Sequence, residues 1–190
     1  MRKTGQEIIE FNGESTGYTL GDFWSWAASN LLSNTLRGEY AEFIVAMALG
    51  IDLIEERESW ASWDLTYPLD GKNIRLEVKS SSYLQAWSQK KPSLIQFGIK
   101  PARFLDSSGQ YIGNPTRQSD IYVFCVYTEK NPTKINLLQL ESWDFYILPT
   151  KVLNEKCGTQ KTIGLSPLLK LQPHKADYQG IKAAVQLCLV

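Results

Sequence analysis

The stretch that decides the fold is residues 63–79, which read Trp-Asp-Leu-Thr-Tyr-Pro-Leu-Asp-Gly-Lys-Asn-Ile-Arg-Leu-Glu-Val-Lys. Its first five residues are rich in aromatic and β-branched types, which predicts a strand that ends at Pro68. Asp70 and Gly71 form a turn signal. After the turn, apolar and charged residues alternate with period two, so the apolar side chains share one face and the charged side chains share the other. The stretch therefore predicts a β-hairpin.

An amphipathic helix is predicted directly before the hairpin, over residues 39–49. It leads to Gly50, which stands where a C-cap glycine belongs. Glu39 and Glu42 are three residues apart, so they are neighbours on the helix surface. The sequence thus places an acidic helix just upstream of the hairpin.

Shorter patterns predict the remaining elements. An earlier helix is expected to begin with Asp22 as its N-cap and to extend to Leu32, with Gly38 separating it from the acidic helix. The first twenty residues show no clear period and are expected to form an arm or a short strand. Further strands are predicted at residues 94–99, 121–127 and 145–148, and a closing helix at residues 175–189.

Composition favours a packed protein of one domain. The chain has 190 residues, of which 43% are hydrophobic and 12% aromatic, which suits a sizeable core and excludes a disordered chain. Three widely spaced cysteines exclude a disulfide scaffold and favour a reducing compartment. No apolar run approaches the roughly 18 residues that cross a bilayer, and polar residues follow the basic N-terminus. A cytoplasmic protein is therefore expected.

Together the elements predict the α/β class, with a central mixed β-sheet flanked by helices on both sides. No internal repeat or low-complexity linker marks a domain boundary. A single domain is therefore expected over residues 1–190, with residues 1–20 as an N-terminal arm and residues 36–100 as the core that carries the site.

The net charge of zero hides an uneven distribution. Residues 1–64 hold eleven acids and four bases, whereas residues 65–190 hold nine acids and sixteen bases. The split is compatible with a cation pocket beside a face that binds a polyanion, and also with charge scattered over a solvated surface. A neutral total therefore does not exclude nucleic acid as a partner.

The hairpin also carries the chemistry. Asp64 lies near the end of one strand and can face Glu77 on the other, and Glu77 and Lys79 project from the same face of that strand. Two converging carboxylates favour a hard divalent cation such as Mg²⁺ between them, with Mn²⁺ as a substitute. The carbonyl of Val78 is a candidate further ligand, and Glu42 or Glu39 is a candidate outer acid. Lys79 can orient water and stabilise charge on a phosphate.

This arrangement resembles the PD-(D/E)XK nuclease superfamily. The resemblance rests on Arg-Gly-Glu-Tyr-Ala-Glu at residues 37–42 opening a helix, Trp63-Asp64 on one strand and Leu-Glu-Val-Lys at residues 76–79 on the next. It covers about residues 37–100, and Trp63 stands where the motif has proline. The resemblance implies a restriction-endonuclease-like core.

The resemblance also implies roles for individual residues. Asp64 and Glu77 would bind the metal, Lys79 would be catalytic, and Glu42 would be the helix acid, with Glu39 as second choice. An alternating Glu-x-Lys strand also suits a solvated surface, and this reading stays open.

The segment after Lys79 is a candidate substrate-binding region. It is rich in hydroxyl, amide and aromatic side chains and ends in paired lysines, which suits contact with a phosphate backbone and with bases. The alternative is a core edge with a polar loop. The candidate binding residues are Ser81, Gln85, Lys90 and Lys91.

The sequence therefore predicts a Mg²⁺-dependent endonuclease of restriction or repair type that hydrolyses DNA phosphodiester bonds. A homodimer is a further expectation, because two active sites would reach two strands. One alternative is a non-catalytic DNA-binding module of the same fold, and another is a protein-interaction domain whose charge split serves a partner.

Overall fold

The protein is built from short strands and helices around a central β-sheet. The computed structural model describes residues 2–54, 57, 61–105 and 109–189. No helix in these ranges is long and apolar enough to cross a membrane. In chain order the elements are β1 (Ile8–Phe11), β2 (Glu14–Thr19), α1 (Leu20–Ala28), α2 (Asn34–Leu49), β3 (Leu65–Leu69), β4 (Lys72–Ser82), β5 (Gln96–Gly98), β6 (Ala102–Leu105), β7 (Tyr111–Thr116), β8 (Ile121–Tyr127), two 3-10 helices (Pro132–Lys134 and Leu140–Ser142), β9 (Trp143–Pro149), α3 (Thr150–Cys157), β10 (Thr162–Gly164), α4 (Leu165–Lys170), β11 (His174–Ala176) and α5 (Ile181–Leu187).

The central sheet has five strands in the order β11–β9–β8–β4–β3. Strands β4 and β8 are parallel, whereas the pairs β3–β4, β8–β9 and β9–β11 are antiparallel. A mixed sheet flanked by helices confirms the predicted α/β class. Since β4 lies between the edge strand β3 and the fully buried strand β8, it carries its charged face close to one edge of the sheet.

Each face of the sheet has its own core. On one face α2 packs over β4, where Leu76 and Val78 are buried, and α5 packs beside α2 on β9 and β11. On the other face α3, α4 and the β5–β10 ribbon cover Phe124 and Tyr146. Because successive strand residues point to opposite faces, burying Leu76 and Val78 under α2 turns Glu77 to the other face.

The predicted β3–β4 hairpin is confirmed, with Leu65 opposite Leu76. Asp70 and Gly71 connect the strands with φ of 49° and 74°, and a two-residue turn of type I′ needs positive φ at both positions. The expectation that the strand ends at Pro68 is wrong, because β3 continues to Leu69. Proline is tolerated there because β3 is an edge strand and its missing N–H breaks no ladder bond.

The acidic helix α2 is longer than predicted. It begins at Asn34, and the hydroxyl of the N-cap Ser33 accepts a hydrogen bond from the backbone N–H of Leu36. Gly38 therefore lies inside the helix and does not interrupt it, since one glycine costs a capped helix only about 1 kcal/mol. The helix ends as predicted, with Gly50 as the C-cap at φ of 69°.

The N-terminal segment contains short strands, which is one of the two expectations for it. It forms the β1–β2 hairpin and leads into α1, whose N-cap is Thr19. The prediction of Asp22 as the N-cap is wrong: Asp22 is the acid of a capping box, and its carboxylate accepts the Thr19 N–H at 2.7 Å. The predicted extension to Leu32 is also wrong, because α1 ends at Ala28 and Ser33 starts a new helix.

The predicted C-terminal elements are found with shifted bounds. The strand at 121–127 coincides with β8, the strand at 145–148 lies within β9, and the strand at 94–99 shortens to β5. The predicted tail helix is helical only in α5. Its first residues, Lys175 and Ala176, instead pair with Tyr146 and Phe145 as part of β11.

Candidate active site

Three charged side chains meet where β3 begins beside β4. Lys79 Nζ lies 2.5 Å from Glu77 Oε1 and 3.6 Å from Asp64 Oδ2. The exposed fractions of the Lys79, Asp64 and Glu77 side chains are 31%, 21% and 20%. The structure therefore brings together, in a largely buried group, the three residues that the hairpin spacing places side by side. We call Asp64, Glu77 and Lys79 the acid–lysine cluster.

Backbone hydrogen bonds fix Asp64 in this cluster. Its N–H donates to the carbonyl of Leu76 at 3.0 Å, and its Oδ2 accepts the N–H of Val78 at 2.7 Å. Asp64 thus continues the pairing of β3 with β4 by one residue through its own side chain. Since the N–H and C=O of one strand residue point to the same side, the Val78 carbonyl faces the same edge as Asp64.

The neighbouring strand removes water from the cluster. Glu77 pairs with Tyr122 and Lys79 pairs with Phe124 on β8, and both aromatic residues are buried. Burial raises the pKa of Glu77, and the nearby charge of Asp64 raises it further, although Lys79 acts in the opposite direction. Burial likewise raises the pKa of Tyr122 to about 12. The charged form of Glu77 is therefore disfavoured even though Lys79 lies beside it.

Lys79 stays protonated at neutral pH. Burial alone would lower the pKa of Lys79, but the charges of Asp64 and Glu77 and the hydrogen bond to Glu77 outweigh burial and raise it. The ammonium group is therefore a permanent hydrogen-bond donor and point charge at this position, and it cannot act as a base near pH 7.

A second buried carboxylate, Glu42 of α2, is held by Arg57. Arg57 Nε and Nη2 donate to the two oxygens of Glu42 at 2.6 and 2.9 Å. Burial raises the pKa of Glu42, the Arg57 hydrogen bonds lower it, and the charge of Asp64 raises it again. Its charge also interacts with Lys79, so Glu42 belongs to the same electrostatic group as the acid–lysine cluster.

A cleft of about 720 Å³ opens beside the cluster. Asp64 and Trp63 line it from the hairpin, Glu39 and Glu42 from α2, and Arg57 from the connection between them. Glu39 is half-buried there, whereas Glu42 is buried. Both candidate helix acids therefore face one cavity together with Asp64.

The donors of the cluster fit a hard divalent cation. Asp64 and Glu77 supply carboxylate oxygens, and Mg²⁺ usually takes one or two carboxylates together with water and phosphate oxygens. Counting Glu42, three carboxylates stand against two cations, Lys79 and Arg57, which leaves an excess of negative charge. Within the described ranges no three His, Cys, Asp or Glu side chains form a metal-ligating group.

The predicted substrate-binding residues fall into two sets. Ser81 is buried, its hydroxyl accepts the N–H of Gln96 at 3.3 Å, and it lines a second cleft together with Gln85. Lys90 and Lys91 lie on the exposed loop beyond that cleft and do not line it. The structure thus joins Ser81 and Gln85 but leaves the two lysines apart from them.

Arg117 lies outside any exposed basic surface. It is buried, and its Nε donates to the carbonyl of Ile99 at 2.8 Å while Nη1 donates to Asn154 Oδ1 at 2.8 Å. These bonds tie the loop before β8 to β5 and α3. Lys100 and Arg103 are exposed, as expected of solubilising charge.

Two arginines near the site are not singled out by sequence reasoning as site residues. Arg57 becomes important because it folds back on Glu42, fifteen residues away. In the sequence Arg37 is only the first residue of the motif at residues 37–42, yet its side chain is buried, with 4% of the residue exposed. No spacing rule signals either case, although the position of Arg37 one turn into α2 and five residues before Glu42 placed it near the acidic face.

Comparison with known proteins shows a likeness in shape to a solved structure. No protein-family model matches the chain, and no curated protein matches it. Among solved structures the chain is similar to the bacterial homing endonuclease I-Ssp6803I, with 21% identity and a TM-score of 0.40, over 70% of this chain and 78% of that chain. The chemistry of the site is therefore judged from its own residues.

Proposed function

We propose that the protein is a divalent-metal-dependent endonuclease that hydrolyses DNA phosphodiester bonds, with a restriction-endonuclease-like core of the PD-(D/E)XK type. The observation that carries the proposal is the acid–lysine cluster, in which a protonated lysine forms salt bridges with two largely buried carboxylates, and one of these, Asp64, lines a cleft. This combination suits phosphodiester hydrolysis, because negative charge develops on phosphate oxygens while a nucleophilic water must be held in place.

Each residue of the cluster has a distinct task in this proposal. Asp64 and Glu77, together with the Val78 carbonyl, would hold Mg²⁺ or Mn²⁺, whose contribution is to stabilise charge on the phosphoryl oxygens. Lys79 donates hydrogen bonds to the attacking water or the phosphate and offsets the charge that develops there. Glu42 supplies an outer acid once Arg57 releases one of its oxygens.

The binding residues follow the same strand. Ser81 lies just beyond Lys79 on β4, and Gln85 follows the end of that strand. Lys90 and Lys91 offer exposed positive charge to a phosphate backbone. The proposal includes a homodimer, which would place two active sites on two strands. It also includes a reducing, cytoplasmic compartment, supported by three cysteines that are all free.

A DNA-binding module without catalysis is the second candidate. The observation that favours it is that the carboxylates already have cations of the chain itself: Arg57 holds both oxygens of Glu42, and Lys79 holds Glu77. Such pairs can serve stability alone. Both candidates predict binding to DNA that weakens with salt, so cleavage separates them.

The test is incubation of the purified protein with supercoiled and linear DNA in Mg²⁺ or Mn²⁺, beside Lys79→Ala. The matched control is Lys72→Ala, since Lys72 is exposed at the far end of the same strand. We expect cleavage by the wild type and by Lys72→Ala and none by Lys79→Ala. Equal cleavage by Lys79→Ala would assign the activity to another site, and DNA binding without cleavage by the wild type would support the binding module.

A further inference from the structure

A second cleft, of about 380 Å³, lies between the first turn of α2 and the end of β4. Arg37 and Asn34 line it from α2, and Ser80 and Ser81 line it from β4. The other lining residues are uncharged, so the described lining contains one cation, Arg37, and no acid. We call this cavity the Arg37 cleft.

Arg37 is a buried cation without an anion. It is 4% exposed, and among the described residues no carboxylate forms a salt bridge with it. Nη1 donates to the carbonyl of Leu32 at 3.0 Å and Nη2 donates to Asn34 Oδ1 at 2.8 Å. Its Nε is buried and has no hydrogen-bond partner in the described part of the chain. A buried charge with an unpaired hydrogen-bond donor lowers the stability of the fold unless an anion binds to it.

The backbone around Arg37 adds to the positive potential. The helix α2 has sixteen residues and starts at Asn34, so its first turn presents the positive end of the helix dipole close to the guanidinium. Ser80 and Gln85 add hydroxyl and amide donors to the same cleft. An oxyanion with several acceptor oxygens suits these donors, and guanidinium groups bind phosphate in this way.

The Arg37 cleft begins where the acid–lysine cluster ends. Strand β3 pairs with β4 only as far as Leu76, and within the described ranges no other strand pairs with β4 on that side. Ser80 and Ser81 line the cleft and directly follow Lys79 along this open edge. By the alternation of a strand, Ser81 shares the face of Lys79 and Ser80 shares the face that α2 covers, so the cleft spans the edge of the sheet. Each strand of a duplex carries one phosphate for about every 3.4 Å of helix axis, so a nucleic-acid backbone that runs along this edge presents successive phosphates to the cluster and to the cleft.

We propose that the Arg37 cleft binds a phosphate group of the nucleic-acid backbone, one or two nucleotides from the bond that the acid–lysine cluster attacks. Arg37 is the charged ligand of this phosphate, and the first turn of α2 and the Ser80 hydroxyl complete the site. The role next to the cleaved bond rests on the proposed nuclease function, whereas the capacity to bind phosphate rests on the cleft alone.

Nuclear magnetic resonance of the arginine Nε–H groups tests phosphate binding directly. The full chain is titrated, without metal, with inorganic phosphate and separately with a short DNA duplex, and Arg37→Gln assigns the signal. We expect both ligands to shift the Arg37 Nε–H signal, with DNA acting at much lower concentration. Arg117 is the internal control, because its buried Nε already donates to Ile99. The proposal would be overturned by the absence of a shift at Arg37, or by an equal shift at Arg117. A shift with inorganic phosphate but not with DNA would show that the cleft binds free phosphate and not the phosphate of a nucleic-acid backbone.

A charge variant tests the cleft without removing the arginine. Asn34→Asp keeps the shape of the side chain that accepts from Arg37 and gives the guanidinium an anion of its own. We expect an unchanged or higher melting temperature and DNA binding that is about tenfold weaker, since a charge-assisted hydrogen bond is lost to the ligand. The matched control is Asn30→Asp, which adds the same charge at an exposed position four residues earlier.

The outcomes separate this inference from the proposed function. Equal DNA affinity of Asn34→Asp and Asn30→Asp would overturn the phosphate site even if the wild type cleaves DNA. Conversely, a specific Arg37 shift with DNA in a protein that cleaves no DNA would support the phosphate site and reject the nuclease.

Discussion

The two ends of β4 carry the same alternation of charges in opposite surroundings. Arg75, Glu77 and Lys79 share one face of the strand. Arg75 donates to both oxygens of Asp120 at 2.6 and 3.0 Å, and these side chains are 40% and 36% exposed. Lys79 instead stands between two carboxylates that are about four-fifths buried. One end is a balanced surface pair, and the other is a buried group with an excess of negative charge.

This difference separates a structural ion pair from a candidate catalytic site. Hydrogen bonds from Arg75 lower the pKa of Asp120, which is the usual result when a carboxylate gains one partner. Burial raises the pKa of Glu77 even though a lysine touches it. Carboxyl groups whose pKa is raised by burial in this way are typical of functional sites. The environment of the alternating charges, and not the alternation itself, therefore marks the function.

The largest expected effect is on cleavage, and it divides the two ends. Glu77→Gln should lower the single-turnover rate of DNA cleavage by at least about 100-fold, because it removes a charged ligand from the proposed metal site. Asp120→Asn should leave that rate within about threefold, since a surface ion pair contributes little. The rates are measured with enzyme in excess over a labelled duplex. Similar losses of cleavage rate in both variants would contradict the contrast between the two ends of β4.

The next effect is on stability, at the point where β3 joins β4. Asp64→Ala should lower the free energy of unfolding by about 1–3 kcal/mol, because the partly buried N–H of Val78 loses its acceptor. Asp64→Asn keeps an acceptor and should lose less stability while losing cleavage equally. Urea unfolding of both variants checks this. Equal stability of the two variants would show that the bond to Val78 has no structural role.

The smallest effect is a pH dependence of opposite sign at the two ends. The folded-state pKa of Asp120 lies below 3.8, so its stabilisation is present above that pH and is lost as the pH falls. The folded-state pKa of Glu77 lies above 4.5, so the native protein loses stability as the pH rises through that value. Relative to the wild type, Glu77→Gln should therefore become more stable as the pH rises from about 4 to about 7, whereas Asp120→Asn should become less stable as the pH rises through 3.8.

Metal-free urea unfolding at several pH values measures this dependence. The exposed Asp120 pair should contribute about 1 kcal/mol or less at neutral pH. A stability difference that changes with pH in the same direction for both variants would contradict the contrast in burial between the two ends.

The sequence was sufficient for the hairpin and for the cluster on it. Alternation in residues 73–79, the Asp-Gly turn and the fixed register of a two-residue hairpin place Asp64, Glu77 and Lys79 together by local rules. The capped end of α2 at Gly50 follows equally local chemistry. The predicted bounds are wrong in two places. Strand β3 continues past Pro68 because it lies at the edge of the sheet, and α2 begins earlier than predicted because Ser33 caps it.

What could not be predicted depends on contacts between distant residues. Arg57 reaches Glu42 across the connection that follows α2, and Arg117 reaches Ile99 and Asn154 from different elements. Burial of Arg37 likewise depends on how α2 packs against β4. Such partners follow from tertiary packing, and no spacing in the sequence encodes them.

The most direct test of the account compares Lys79→Met with Arg75→Met, two cations on one face of one strand. The measurement is the rate of DNA cleavage in a single turnover with Mg²⁺, at protein concentrations that saturate the DNA. The account predicts loss of at least about 100-fold in Lys79→Met, because a donor to the developing charge is removed, and a nearly unchanged rate in Arg75→Met. Cleavage by Lys79→Met at the rate of Arg75→Met would contradict the account.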